Sequence, residues 1–194
     1  MPAIATPSGW LKEAARTVLA GGVVALPFER LFGLAARATD ADAVARSAVI
    51  KGRGVGQPIA VIIPDAGGVL EVAAKFPPLA AALAERHWPG PLTLLVPARS
   101  DLPAALVGPN GLVGVRVPGP SPALELVRRV GFALTATSAN LSGARNALSD
   151  LDLHDLEGVD LLVPGVVPGP PGSTVVDASG ATPIVVRQGI LKID

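Results

Sequence analysis

Short, mainly apolar runs alternate with longer helical stretches along the whole chain, and most of these runs are closed by proline, glycine or a polar residue. They include residues 23–26, 59–63, 92–96, 112–117 and 132–136, with later ones at 159–163, 174–177 and 184–187. Runs of this length are typical of strands buried within a sheet. Because helices and strands alternate without strict βαβ order, the pattern predicts an α/β domain with a largely mixed sheet.

Helix starts are indicated by residue types that commonly cap the first turn. Ser8, Thr39 or Asp40, and Ser121 each precede an apolar stripe at helical spacing, and Pro122 suits the first helical position. The predicted helices end near residues 20, 50 and 130. Two further helices are expected near 66–75 and 78–87, and a short one after Ser149.

Composition excludes several kinds of catalysis. The chain has no cysteine, so thiolate nucleophiles, disulfides and cysteine-ligated zinc are absent. His87 and His154 are its two histidines, and neither has the spacing of a metal pair. No Gly-x-Ser-x-Gly sequence is present to hold a nucleophilic serine. Chemistry is therefore expected from Lys, Arg, Ser, Thr, Asn and carboxylates, with no metal held by the protein.

Charge and hydrophobicity describe a folded globular chain. Of its 194 residues 49% are hydrophobic and 16% charged, and the formal net charge is zero. This balance excludes disorder and argues against a nucleic-acid binder that relies on bulk positive charge. It does not exclude a local basic patch. No apolar run approaches the roughly 20 residues of a membrane helix, and no signal peptide is evident. We expect one cytoplasmic domain over residues 1–194.

Two polar clusters stand out from this apolar background. One is Lys51-Gly52-Arg53 and the other is Ser138-Ala139-Asn140. Each places two polar side chains at i and i+2, a spacing that on extended backbone directs both to the same face. Alone, the first is an ordinary surface feature and the second an ordinary turn. Together, two cations and two neutral hydrogen-bonding groups make a plausible site for a polyphosphate.

Seven segments in a fixed order then identify a resemblance. They are Leu-x-Gly-Leu at 31–34, Lys-Gly-Arg at 51–53, Trp-Pro-Gly-Pro-Leu-Thr at 88–93, Gly-Val-Arg-Val-Pro at 114–118, Thr-Ser-Ala-Asn-Leu-Ser-Gly at 137–143, Ser-Thr-Val-Val-Asp at 173–177 and Arg-x-Gly at 187–189. This order closely resembles the YrdC-like family of threonylcarbamoyl-AMP synthases over about residues 10–190.

The resemblance implies a twisted mixed sheet with flanking helices and a concave cleft, in a single YrdC-like domain without the extra carboxy-terminal domain of longer relatives. It implies a nucleotidyltransferase that converts L-threonine, bicarbonate and ATP into threonylcarbamoyl-AMP and pyrophosphate for tRNA threonylcarbamoyladenosine biosynthesis. Magnesium would arrive with the nucleotide, and tRNA or tRNA-modification proteins are the implied partners.

The same resemblance implies roles for individual residues. The residues that handle ATP in catalysis are Lys51, Arg53, Ser138 and Asn140. Further nucleotide contacts fall to Asn146 and Arg187, and amino-acid contacts to Arg116 and Ser173. These residue types suit adenylation, because expelling pyrophosphate requires positioning and charge neutralisation rather than a covalent nucleophile.

The amino-terminal signature departs from the family pattern Pro-Thr-Asp/Glu-Thr-x-Tyr-Gly-Leu. At 27–34 the two threonines are replaced by Phe28 and Arg30, and the tyrosine by Phe32. Arg30 occupies the position of a threonine that contacts the substrate amino acid. Either Arg30 turns outward and Arg116 alone holds the carboxylate, or the pocket takes a different, acidic or larger acceptor. Gly54, in place of the usual proline, should loosen the loop that carries Arg53.

Two alternatives remain open beside threonylcarbamoyl-AMP synthesis. The chain is either a divergent paralogue that adenylates another carbamoylated or carboxylated acceptor, or a catalytically silent RNA-binding module that uses the same cleft. The zero net charge weighs against the RNA-binding module without excluding it, because charges can cluster.

Overall fold

A computed structural model of the protein describes residues 1–51, 58–140 and 145–193. Its α-helices are α1 (Trp10–Leu19), α2 (Ala41–Ile50), α3 (Pro78–His87) and α4 (Pro122–Val130), and short 3-10 helices lie at Ala66–Glu71, Ala104–Leu106 and Asp150–Leu153. Within the described ranges, every helix is too short or too polar to cross a bilayer.

The strands of the described residues form one ten-stranded sheet. They are β1 (Ala3–Ile4), β2 (Val24–Pro27), β3 (Phe32–Ala35), β4 (Ala60–Ile62), β5 (Leu92–Pro97), β6 (Leu112–Arg116), β7 (Leu134–Ser138), β8 (Leu161–Leu162), β9 (Thr174–Asp177) and β10 (Ile184–Arg187). Their order is β1-β8-β2-β3-β7-β4-β6-β5-β9-β10. Parallel pairs such as β4 with β6 occur beside antiparallel pairs such as β4 with β7. The mixed sheet with flanking helices confirms the predicted fold class.

The sheet separates two apolar cores, because alternate residues of a strand face opposite sides. In β2, Val24 and Leu26 belong to the larger core, to which α1, α3 and α4 contribute. Their neighbours Val23 and Ala25 belong to a smaller core with residues of α2 and β8. Burial on both faces explains why the strand sequences are almost continuously apolar.

Helix caps account for two of the predicted helix starts. Asp40 Oδ1 accepts hydrogen bonds from the backbone N–H groups of Asp42 and Ala43, both at 3.1 Å, and so begins α2. Ser121 Oγ accepts from Leu124 N at 3.4 Å and begins α4. The prediction for Ser8 is wrong, because Gly9 is the cap of α1 and makes no side-chain bond there.

One further prediction is corrected and one element was missed. The helix expected near 66–75 is the shorter 3-10 helix Ala66–Glu71; Gly67 and Gly68 lie in it, and glycine disfavours helix interiors. Strand β3 was not predicted, because its Phe-Gly-Leu-Ala sequence is short and contains a glycine.

Candidate active site

A cavity of about 630 Å³ opens on one face of the central strands. Four neighbouring strands, β3, β7, β4 and β6, contribute small residues to its lining, namely Gly33, Ala136, Ala60 and Gly114. A Cβ added to Gly114 would lie 3.3 Å from the Cβ of Ala60, so the floor has little space for larger side chains. The small residues leave the sheet surface accessible to a ligand, and the volume suits a small molecule.

At one end of the cavity, the lining residue Ser138 contacts the ammonium group of Lys51, which lies behind it. Lys51 Nζ donates to Ser138 Oγ at 2.8 Å and to Asn140 Oδ1 at 2.7 Å, across more than 85 positions of sequence. Only 4% of Lys51 is exposed. Three of the four residues predicted to handle ATP therefore lie together, while Arg53 lies outside the described residues.

Secondary structure explains how these groups meet. Lys51 is the C-cap of α2, which directs it to the sheet, and its backbone N–H donates to Ser47 O at 3.3 Å. Ser138 is the last residue of β7 and pairs with Gly33 of β3. Asn140 follows two residues later, where the strand has ended. A helix end and a strand end thus supply one cation and two neutral groups to the same point.

The second group of polar residues is centred on Arg116 at the end of β6. Its Nη2 donates to Glu29 Oε1, and its Nε donates to Gly90 O at 2.8 Å. Glu29 Oε1 also accepts from Gly119 N at 2.5 Å. The Arg116 and Glu29 side chains are 12% and 17% exposed.

Burial is the main influence on Arg116. It lowers the pKa of the Arg116 guanidinium from its ordinary value, and the positive charge of Arg187 lowers it further, whereas Glu29 acts in the opposite direction. Arginine nevertheless remains protonated in proteins because its intrinsic pKa is so high. Arg116 is therefore a buried cation, and Glu29 is its one carboxylate partner among the described residues.

A third group connects β5, β9 and β10. Ser173 Oγ lies 2.9 Å from Thr93 Oγ1, and Arg187 Nη2 donates to Ser173 O at 3.0 Å and to Ser173 Oγ at 3.3 Å. Although Arg187 belongs to an exposed edge strand, partial burial of its guanidinium lowers its pKa. The predicted nucleotide contact Arg187 and the predicted amino-acid contact Ser173 are thus hydrogen-bonded to each other.

The divergent signature residues also border the cavity. Arg30 donates from Nε to Pro171 O at 3.0 Å and from Nη2 to Pro170 O at 3.4 Å. The ring of Phe28 lies over Gly33, since a Cβ added there would be 2.3 Å from the nearest ring carbon. Phe32 is buried with 1% exposure in the smaller core. Arg30 therefore faces the rim and Phe28 occupies part of the floor.

Positive groups outnumber negative ones around this cavity. Arg30, Arg116 and Arg187 line it together with the half-buried amide of Asn146, and Glu29 is the one acidic residue among the described lining residues. No cluster of three or more His, Asp or Glu side chains suited to a metal ion occurs within 1–51, 58–140 and 145–193. The arrangement favours an anionic ligand.

Glu29 and Thr93 also belong to the site, although the sequence does not mark either as a site residue. Glu29 appeared only as the acidic position of the signature, and Thr93 only as the end of Trp-Pro-Gly-Pro-Leu-Thr. A carboxylate within an apolar segment is itself a signal, because an isolated buried charge is unfavourable unless it is paired. The partners of both residues come from remote segments, so their contacts required the sheet order.

Comparison with known proteins gives one family. A family model for Sua5, YciO and YrdC proteins, described as "Telomere recombination", matches residues 16–189. The threonylcarbamoyl-AMP synthase of Bacillus subtilis is 33% identical over 193 residues, covering 96% of this chain and 55% of the relative. That of Nitrosococcus oceani is 34% identical over 168 residues, covering 84% of this chain and 89% of the relative.

Solved structures agree with the sequence comparison. Pyrococcus abyssi Sua5 complexed with L-threonine is similar at a TM-score of 0.86 and 31% identity, and the match covers 97% of this chain and 57% of that one. The chain thus spans a little over half the length of the Bacillus and Pyrococcus proteins.

Proposed function

Because the chain belongs to the Sua5, YciO and YrdC family, we propose that it makes threonylcarbamoyl-AMP and pyrophosphate. The substrates are L-threonine, bicarbonate and ATP, and one water is released. The observation that carries the proposal is the meeting of Lys51, Ser138 and Asn140 at the cavity, which Ser138 lines together with three arginines. A site of this charge and size suits a nucleoside triphosphate together with a small molecule that carries a carboxylate.

Lys51, Arg53, Ser138 and Asn140 are proposed to bind the phosphates of ATP. The ammonium of Lys51 is a compact positive charge, which stabilises the negative charge that builds up on the departing pyrophosphate. Arg53 supplies a planar guanidinium that can bond two phosphate oxygens at once. Ser138 and Asn140 orient Lys51 through bonds of 2.8 and 2.7 Å, and both also have hydrogen-bonding capacity for phosphate oxygens. Asn146 and Arg187 complete the nucleotide site.

Arg116 and Ser173 are proposed to hold the acceptor amino acid, with Arg30 at the border of the same pocket. Glu29 and Gly90 O fix the Arg116 guanidinium through Nη2 and Nε, which leaves the Nη1 edge for a carboxylate. An arginine already fixed in position binds a carboxylate with little further loss of conformational freedom.

The reaction then requires little covalent chemistry from the protein. Threonine and bicarbonate form a carbamate, whose oxygen attacks the α-phosphorus while the bond to pyrophosphate breaks. Holding both reactants in one cavity supplies the positioning, and the cations neutralise the charge that develops. Magnesium enters with ATP as part of the substrate. The product would be consumed in tRNA threonylcarbamoyladenosine formation, with tRNA-modification proteins as partners.

Pyrophosphate release with ATP and bicarbonate, measured against a panel of amino acids, tests this function. Threonine is expected to give the highest kcat/KM. Lys51→Ala and Ser138→Ala should each reduce turnover, with Lys51→Ala lowering kcat/KM by about 100-fold because a charge at the reacting phosphate is lost. Arg99→Ala, at an exposed pair with Asp101, is the control and should leave turnover unchanged.

The panel also separates the alternatives. Phe28 and Arg30 stand where the family pattern has threonines, which favours the paralogue as second candidate; turnover with another acceptor but not threonine would select it. Absence of ATP binding together with salt-sensitive RNA binding would contradict both enzymatic functions.

A further inference from the structure

Arg30 contacts one segment of the chain at three points. We define the proline loop as residues 168–172, with the sequence Pro-Gly-Pro-Pro-Gly. The Arg30 guanidinium donates to Pro171 O at 3.0 Å and to Pro170 O at 3.4 Å. The Arg30 carbonyl accepts from Gly169 N at 2.9 Å. The side chain and the main chain of Arg30 therefore both bind this loop, which lies at least 139 residues further along the sequence.

The proline loop depends on such outside donors. Three of its five residues are prolines, which lack a backbone N–H. The loop therefore cannot satisfy its carbonyl groups with backbone hydrogen bonds of its own. Its other end is held by Ile190 N, which donates to Gly172 O at 3.0 Å. Gly172 also approaches Leu31, since an added Cβ would lie 3.3 Å from Leu31 Cδ1. Arg30 thus supplies the polar attachment between the β2–β3 turn and the loop.

The proline loop leads directly into the acceptor side of the cavity. Ser173 follows it and bonds to Thr93 and Arg187. Pro170, Pro171 and Gly172 themselves line the cavity. A displacement of the loop would therefore move Ser173 and one wall of the pocket. Lys51, Ser138 and Asn140 would stay in place, because they are held by the C-cap of α2 and the end of β7.

We propose that Arg30 is a positioning residue that fixes the proline loop and thereby sets the shape of the acceptor pocket. This inference rests on the proposed function. The Arg30 guanidinium acts on the acceptor through Pro170, Pro171 and Ser173, and does not need to contact the acceptor directly. Where the family pattern has a threonine, this chain then has a residue that attaches the proline loop.

The central test compares Arg30→Met with the wild type in the full chain. Methionine keeps much of the length and removes all donors. The acceptor KM should rise about tenfold, the effect of losing one or two hydrogen bonds from a charged donor, while the ATP KM changes less than about twofold. Arg30→Lys, which keeps the charge and can reach one carbonyl, should recover part of the loss. Discrimination among acceptors of different size should weaken in Arg30→Met.

A control arginine and a loop variant sharpen this comparison. Arg37→Met removes a cation that contacts Thr39 and the Phe132 ring instead, and should leave both KM values unchanged. Gly169→Ala disturbs the loop independently, because Gly169 has a φ of +93°. If Arg30 acts through the loop, Gly169→Ala should also raise the acceptor KM, and the double variant should lose less than the product of the two single effects.

Hydrogen exchange of the full chain gives a readout that needs no turnover. The Gly169 amide should exchange about tenfold faster in Arg30→Met than in the wild type or Arg37→Met, because the loop keeps the main-chain bond to residue 30 but loses both side-chain bonds that hold it there. Unchanged exchange would overturn the proposal even if activity fell. Conversely, a KM increase restricted to acceptors with a second carboxylate would identify Arg30 as a direct ligand and also overturn it. If the wild type turns over no acceptor, the proposed function fails, and exchange alone decides the positioning role.

Discussion

At the residue scale, Glu29 and Arg116 form the least exposed ion pair of the described residues. Both side chains are mostly buried, and Glu29 also accepts from the Gly119 backbone. Such a pair contributes little net stability compared with apolar residues, but removal of one partner leaves an uncompensated charge. Glu29 therefore determines whether Arg116 is held ready for an anion or left without a carboxylate.

Glu29→Gln tests this assignment, since glutamine keeps an acceptor oxygen for Gly119 N, removes the charge and replaces the second carboxylate oxygen by an amide NH2 group. The free energy of unfolding should fall by about 3 kcal/mol, in the range observed when one partner of a buried pair is lost. Urea denaturation measures it. Asp101→Asn is the matched control at the exposed pair with Arg99, and should change stability little, because solvent screens such pairs. Equal losses in both variants would contradict a special role for burial at Glu29.

At the scale of secondary-structure elements, α2 matters most because Lys51 lies at its end. The cap at Asp40 accepts two backbone N–H groups, each at 3.1 Å. It satisfies donors that would otherwise lack a partner in the first turn. The cap therefore sets where the helix begins, and the ten residues of α2 then set where Lys51 emerges.

Asp40→Ala should lower the free energy of unfolding by about 1 kcal/mol, the usual effect of losing a helix cap. Asp42→Ala serves as the control, because Asp42 is acidic and in the same first turn but only its backbone N–H takes part in the cap. Thermal and urea unfolding should separate the two variants. A similar loss in both would mean that charge near the helix start, and not the hydrogen bonds of the cap, is responsible.

The elements also show how far the sequence alone was informative. Caps with a side-chain acceptor, at Asp40 and Ser121, were predictable because their chemistry is local. The cap of α1 was not, since Ser8 has the right chemistry but Gly9 takes the position. Strand β3 was missed because its pairing with β2 and β7, not its own sequence, stabilises it.

The site shows the same division between local and distant information. Lys51, Ser138 and Asn140 stood out as polar groups beside apolar runs, so they could be proposed before their contacts were known. The role of Arg30 could not be read from the sequence, because it depends on carbonyls of a loop about 140 positions away. Proximity across such distances is determined by strand order, which periodicity does not reveal.

At the scale of the whole molecule, a formal net charge of zero conceals an uneven distribution. Three arginines line the cavity and Glu29 is its one carboxylate among the described lining residues. Low-dielectric walls strengthen the field of charges held in a cleft. The field that an approaching anion experiences is therefore local, and the total charge is a poor guide to it.

Salt provides the corresponding test. The Kd for ATP should rise about tenfold between about 0.05 M and about 0.5 M salt, because added ions screen the attraction between the arginines and the phosphates of ATP. Isothermal titration calorimetry measures this, with adenosine, which carries no phosphate charge, as the reference ligand. If adenosine and ATP weaken equally, the arginine-lined cavity does not govern nucleotide binding.

The hydrogen bonds from Arg187 to Ser173 have a thermodynamic consequence for the affinities of the two ligands. If Arg187 turns towards a nucleotide, the serine hydroxyl is released for the acceptor, and the acceptor in turn frees the guanidinium. Reciprocity then requires each substrate to change the affinity of the other by the same factor. Occupancy of one half of the cavity would be communicated to the other by a single shared side chain.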